Sequence, residues 1–236
     1  MNIYKAIIKE VLVPVHPAGW PFIFIFVVAC VLLSALWFPF VLPGTLLCLW
    51  CVYFFRNPVR TTPVTDNYVV APADGRILST DVAPLPAELD LPAGKWRRIA
   101  IFMNVFDVHV NRAPVAGRIV DTNYHAAGKF FNASLDKAAQ ENERQNIVMQ
   151  TAAGQKVGIV QIAGLVARRI LLESAVGDEL AIGQQLGIIR FGSRVDFWLP
   201  ADKPVLVLAG QRTVAGETVL ADLSGAISEP MTARQQ

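Results

Sequence analysis

Cysteine is scarce in this 236-residue chain: the three present are Cys30, Cys48 and Cys51, and none follows. The long remainder therefore has no disulfide framework and no thiolate metal site. Cys48 and Cys51 have C-x-x-C spacing, but they sit in an apolar stretch rather than at the mouth of a redox site. Charge is missing over residues 11–55, which contain no Asp, Glu, Lys or Arg. That stretch does not read as the surface of a soluble domain. Lysine–arginine clusters with interleaved aromatics are absent too, and the net charge is only +2, so nucleic acid is not an expected partner. The three histidines, His16, His109 and His125, are the whole stock of imidazole.

What fills the uncharged stretch is Phe, Leu, Val and Trp. Residues 21–38 suffice for one bilayer crossing, at roughly 17 to 25 residues per span. Phe38-Pro39-Phe40 and Leu42-Pro43-Gly44 then interrupt the run, and residues 45–55 form a second, shorter one. A tight helical hairpin fits, as does one span followed by an interfacial helix. Lys5 and Lys9 precede the segment, Arg56 and Arg60 follow it, and the connection has no charge. Both ends are therefore expected on the cytoplasmic side of the cell (inner) membrane. Trp20, Trp37, Trp50 and Tyr53 fall near the expected interfaces. Residues 1–56 read as a membrane anchor, and 57–236 as one globular domain.

The globular part reads as mainly β. Short apolar runs at 68–70, 98–103, 147–151 and 156–162 are separated by Gly, Pro and Asp. Residues 71–77 (Ala-Pro-Ala-Asp-Gly-Arg-Ile) resemble 113–119 (Ala-Pro-Val-Ala-Gly-Arg-Ile). The expected fold is an antiparallel β sandwich or barrel of repeated hairpins with few helices, preceded by the helical hairpin. One helix is expected over 134–143, capped by Asn132 or Ser134. Residues 228–236 read as a disordered tail.

Candidate chemistry centres on Arg190-Phe191-Gly192-Ser193-Arg194-Val195-Asp196. A strand-like run leads in and another leads out. Gly-Ser is a common turn dipeptide, yet a serine hydroxyl beside the carbonyl of a strained glycine is also placed to attack it. His109 reads as a strand residue flanked by Val108 and Val110, fitting a half-buried structural role or a catalytic one. His16, just before the apolar segment, reads as incidental. His125 reads as solvated or as a binding residue. Asp74 sits in an Asp-Gly turn, and with His109 and Ser193 completes an Asp-His-Ser set on separate segments.

These residues fall in ordered blocks. Tyr53-Phe54-Phe55-Arg56-Asn57-Pro58, Ala71-Pro72-Ala73-Asp74-Gly75 and the stretch from Asn104 through Asp107 and His109 to Arg112 come first. Gly128-Lys129-Phe130, Glu141-Asn142-Glu143-Arg144, Gln161-Ile162-Ala163-Gly164 with Ala167-Arg168-Arg169-Ile170, and the Gly192-Ser193 heptapeptide follow. Together they resemble the short, membrane-anchored phosphatidylserine decarboxylases over roughly residues 50–225.

That resemblance implies a proenzyme that cuts itself between Gly192 and Ser193, giving a β chain (1–192) and an α chain (193–236) that stay together as a heterodimer. It implies that Ser193 becomes a covalent pyruvoyl cofactor through an ester, β-elimination and loss of ammonia. The ketone then forms a Schiff base with phosphatidylserine and acts as electron sink while carbon dioxide leaves. His109, oriented by Asp74, is expected to supply and take protons, since imidazole titrates near neutral pH. Longer relatives have a second histidine three residues after the first; here that position is Arg112. Arg112, His125, Arg168 and Arg169 are candidates to bind the lipid substrate, with at most one of Arg168 and Arg169 facing the site if they lie on a strand. A homo-oligomer is left open, and no metal is implied. Two other readings use the same residues. One is a membrane-bound serine hydrolase of Ser193, His109 and Asp74, although Val195 stands where a G-x-S-x-G elbow needs its second glycine. The other is a non-enzymatic membrane-anchored β adaptor in which Gly192-Ser193 is merely a turn.

Overall fold

The computed structural model describes residues 13–64, 67–126, 131–135, 138–164, 169–190 and 192–225. The expected tail at 228–236, together with Lys5, Lys9, Lys129 and Arg168, lies outside them. The chain divides into two compact units, Met1–Val59 and Arg60–Gln236.

In the first unit, helix α1 (Trp20–Leu36) and helix α2 (Val41–Phe54) are each preceded by a short 3-10 turn. They pack against each other as a hairpin. Pro43 and Gly44 do not interrupt the second limb as the sequence suggests. Pro43 falls in the first turn of α2, where backbone N–H groups have no intrahelical acceptor and the missing proton costs nothing. Gly44 is where the helices meet, because a Cβ there would lie 2.4 Å from Cys30 Sγ. Pro17–Leu36 is long and apolar enough to cross a membrane, and Phe38–Phe54 is a shorter apolar helical segment. The open end of the hairpin is closed by His16 N–H to the Phe55 carbonyl (2.7 Å) and Asn57 N–H to the Pro14 carbonyl (2.6 Å). His16, expected to be incidental, is buried and accepts from Ala18 N–H through Nδ1 at 3.2 Å.

The second unit is mainly β, and its strand pairs are antiparallel. Its large sheet centres on β12 (Ser193–Pro200), flanked by β4 (Trp96–Met103) and β8 (Lys156–Ala163). Beyond β8 lie β7 (Arg144–Gln150), β6 (Gly117–His125) and β10 (Glu179–Leu180). Beyond β4 lie β2 (Gly75–Ser79) and β13 (Arg212–Thr213), while β3 (Val82–Ala83) also pairs with β4. Two small sheets complete the fold: β5 (Val110–Arg112) with β11 (Gln185–Ile189) and β9 (Ile170–Leu172), and β1 (Tyr68–Val70) with β14 (Val219–Asp222).

Strand alternation decides what each face buries. Val195, Phe197 and Leu199 join Ile99, Ile101, Ile159, Leu186, Ile189 and Leu220 in the main core. On the opposite face Trp198, Val160 and Ile162 pack with Leu89, Trp96 and Ala138. The helix there, α3 (Ala138–Glu141), is shorter than expected and ends where the Asn142 side chain turns to the Phe131 and Ala163 carbonyls. Asn132 closes a local turn instead of capping the helix, accepting from Ser134 N–H and Oγ well before Ala138.

The resemblance of residues 71–77 to 113–119 is structural. Ala71 N–H donates to the Thr218 carbonyl while its own carbonyl accepts from Gly216. Ala113 makes the matching pair with Gln184 and Gly183. Ile77 exchanges bonds with Gln211 and Gly210, as Ile119 does with Asp178 and Gly177. The two copies also bond each other reciprocally, Val70 N–H to the Pro114 carbonyl and Arg112 N–H to the Pro72 carbonyl, both 2.9 Å.

Candidate active site

Ser193 opens β12 at the end of the large sheet and is fully buried. It lies opposite Met103 on β4 and Ala163 on β8. Just before it, Gly192 has φ +66°, in the left-handed region that residues with a Cβ enter only at a cost. The Gly192 carbonyl oxygen rests against Gly164, where a Cβ would come within 2.0 Å of it. Glycine at 164 is thus what leaves room for this carbonyl.

His109 reaches the same point from the residue just before β5. The expected strand through 104–112 is broken by a tight turn, because Asp107 Oδ2 accepts from Asn104 N–H (2.9 Å) and Asn104 Oδ1 accepts from Phe106 N–H (2.8 Å). His109 leaves that turn fully buried, just before β5, rather than half-buried on a strand. Its Nδ1 lies 3.0 Å from the Asp107 carbonyl, and its Nε2 lies 3.2 Å from the Gly192 amide nitrogen. A carbonyl only accepts, so Nδ1 carries the proton. Nε2 is then left with a lone pair and accepts from Gly192 N–H. Both contacts select the same neutral tautomer, with its basic nitrogen at the Gly-Ser junction.

Asp74 is not brought to His109. Its carboxylate accepts from Arg60 Nη2 (2.9 and 2.8 Å) and from Ala215 N–H (2.7 Å). Arg112 belongs to the same neighbourhood and donates to the Gly183 carbonyl at 3.0 Å. Burial, reinforced by Arg60, makes the Arg112 guanidinium easier to deprotonate than a free arginine, while Asp74 and Glu217 oppose the shift. Asp74 nevertheless connects to the histidine indirectly. It fixes the turn at Ala215, and Arg212, entering that turn, donates to the Asp107 carboxylate. His125, at the end of β6, lies opposite Arg144 and interacts electrostatically with Glu88, which in turn pairs with Arg144. Arg169 is exposed and stands beside Arg190, close to Gly192 in sequence; its neighbour Arg168 is outside the described residues.

Several contributing residues were not singled out from sequence. Met103 Sδ lies 3.9 Å from Ser193 Oγ and 3.6 Å from Asn111 Nδ2, and Gln161 Nε2 donates to Asn111 Oδ1 at 2.8 Å. This buried row borders the serine, and Gln161 Oε1 has no partner among the described residues. Behind the site, Arg194 and Asp196 form a buried bidentate ion pair (Nε–Oδ1 2.5 Å, Nη2–Oδ2 2.7 Å). Residues two apart on β12 share a face, so this pair braces the start of the strand from the side opposite Ser193. Asn111, Gln161 and Asp107 are polar residues within apolar runs, and that interruption was the available signal.

A glycine carbonyl seated against Gly164, a buried hydroxyl and a neutral imidazole equip this junction for acyl transfer within the chain itself. Compared with known families, residues 47–221 match the family model described as phosphatidylserine decarboxylase.

Proposed function

The chain belongs to the phosphatidylserine decarboxylase family, and on that premise we propose that it decarboxylates phosphatidylserine with a pyruvoyl group made from its own Ser193. The observation that carries this reading is His109 Nε2 at the Gly192 amide, with left-handed Gly192 before buried Ser193. His109 takes the hydroxyl proton as Ser193 Oγ attacks the Gly192 carbonyl. The Gly192–Ser193 C–N bond breaks, its nitrogen takes up a proton, and an ester remains. Removal of the Ser193 Cα proton expels the Gly192 carboxylate and cuts the chain into residues 1–192 and 193–236. The new enamine tautomerises and gives up ammonia to water.

The residues present fit such a group. Built from Ser193, it needs no pocket beyond the space of that side chain, which Met103 and the Asn111–Gln161 row border. The ketone supplies the electron sink for the carbon left behind when carbon dioxide departs. His109, held by the Asp107 carbonyl, returns a proton to that carbon, a task for which general acid catalysis contributes about 10²- to 10⁴-fold. Asp74 acts as a positioning residue through Ala215, Arg212 and Asp107. Arg169 binds substrate. The apolar hairpin anchors the enzyme in the membrane that holds its lipid, with flanking Lys5, Lys9, Arg56 and Arg60 keeping the catalytic unit on the cytoplasmic side.

Purified protein given phosphatidylserine labelled at the serine carboxyl carbon is expected to release labelled carbon dioxide, and Ser193→Ala none. Release of free serine or fatty acid instead would replace this reading with the hydrolase one. Carbon dioxide from an uncut Ser193→Ala chain would remove the cofactor from it.

A further inference from the structure

Next to the Gly-Ser junction the fold sets two positive charges face to face. β9 and β11 run antiparallel with Ile170 opposite Ile189, and Arg190 N–H donates to the Arg169 carbonyl at 3.3 Å. Arg169 and Arg190 are therefore cross-strand neighbours projecting to one side. Like charges in that relation destabilise a sheet. Burial and then the Arg169 guanidinium make Arg190 easier to deprotonate than a free arginine. The Glu143 carboxylate accepts from Ile170 N–H at 3.0 Å and interacts with Tyr124, whose hydroxyl also feels the Arg169 charge. The pair stands at the working end of the domain: Ile189 N–H bonds the His109 carbonyl at 3.2 Å, and Phe191 alone separates Arg190 from Gly192.

An anion between the two guanidiniums relieves the repulsion, and the lipid headgroup carries two. The carboxylate is the less suitable one. It must shed its charge as carbon dioxide, so an arginine clamp on it stabilises the starting state and slows the reaction. The phosphodiester keeps its charge throughout and lies three bonds from the serine Cα. Paired guanidinium forks also match its oxygens in a bidentate manner. Resting on the lipid decarboxylase reading, we infer that Arg169 and Arg190 seat the phosphodiester of the substrate headgroup, leaving the carboxylate free to depart.

Binding that is equal in ground and transition states appears in KM and not in kcat. Steady-state kinetics on processed enzyme with short-chain phosphatidylserine in mixed micelles should show KM raised at least about tenfold in Arg169→Gln and in Arg190→Gln, with kcat within about twofold and partial recovery in Arg169→Lys. That corresponds to about 1.4 kcal/mol of uniform binding. Glycerophosphoethanolamine, which keeps the phosphodiester and lacks the carboxylate, should inhibit wild type and lose at least tenfold in potency in both variants. Unchanged KM and unchanged inhibition would overturn the inference. Arginine-dependent inhibition by L-serine but not by glycerophosphoethanolamine would assign the pair to the carboxylate, and inorganic phosphate inhibiting as well as the diester would assign it to free phosphate. If Arg190→Gln fails to process, Arg169→Gln carries the test, being farther from the cut. If wild type releases no carbon dioxide, the decarboxylase reading fails. Calorimetric binding of glycerophosphoethanolamine to wild type and Arg169→Gln then still decides whether the pair binds a phosphodiester.

Discussion

The β domain contains the same turn twice, and only one copy carries the candidate site. Residues 71–77 with 210–218 and residues 113–119 with 177–184 share their backbone hydrogen bonds. Each is followed by a short strand (β14, β11) and then by a left-handed glycine, Gly225 at φ +75° and Gly192 at φ +66°. In one copy the residue before the paired strand is Asn67, whose carbonyl accepts from Leu223 N–H at 2.7 Å; in the other it is His109, whose carbonyl accepts from Ile189 N–H at 3.2 Å. Left-handed glycine is therefore not what distinguishes the proposed scissile bond. Imidazole at the preceding amide, a buried serine after it and the Gly164 slot are.

The largest expected effect comes from removing the hydroxyl. Ser193→Ala should leave one uncut chain with no decarboxylation, seen by intact mass and carbon dioxide release. His109→Ala should come next, slowing the cutting and, in whatever chain is cut, the decarboxylation by about 10²- to 10⁴-fold each, while Asn67→Ala, its counterpart, stays within about twofold in both. Equal losses in the two would erase the contrast between the copies. Gly164→Ala forces the Gly192 carbonyl aside. A displacement costing about 1.4 kcal/mol suffices to slow cutting tenfold, and a time course of fragment appearance measures it. The smallest effect belongs to Ala226→Ser, which gives the other copy its own Gly-Ser after a left-handed glycine. No new fragment ending at Gly225 is expected, since Asn67 has no basic ring nitrogen to offer.

Much of this contrast is legible in the sequence. The Ala-Pro-x-x-Gly-Arg-Ile repeat and the strand–Gly-Ser–strand pattern are local, so spacing alone reveals them. The contact of His109 with Gly192 is not local; the sequence offers His109 and Ser193 only as members of an Asp-His-Ser set on separate segments and through the ordered family blocks. Asp107 was overlooked as the orienting group because its backbone carbonyl, common to every residue, faces the ring, whereas Asp74 drew attention with a carboxylate that Arg60 and Ala215 occupy. β7 begins at Arg144 rather than Ile147 because Arg144, Gln145 and Asn146 are buried polar residues, and polarity hides a strand from a hydrophobic reading. Pro43 misled for a related reason: a proline breaks a helix or starts one depending on position, and position is a tertiary fact.

The central claim is that the protein cuts itself at the junction His109 touches. Denaturing electrophoresis with intact-mass measurement of the purified wild-type protein tests it most directly. The expected result is two polypeptides divided between residues 192 and 193, the smaller lacking a free α-amine. A single intact chain that still releases carbon dioxide from phosphatidylserine would contradict it.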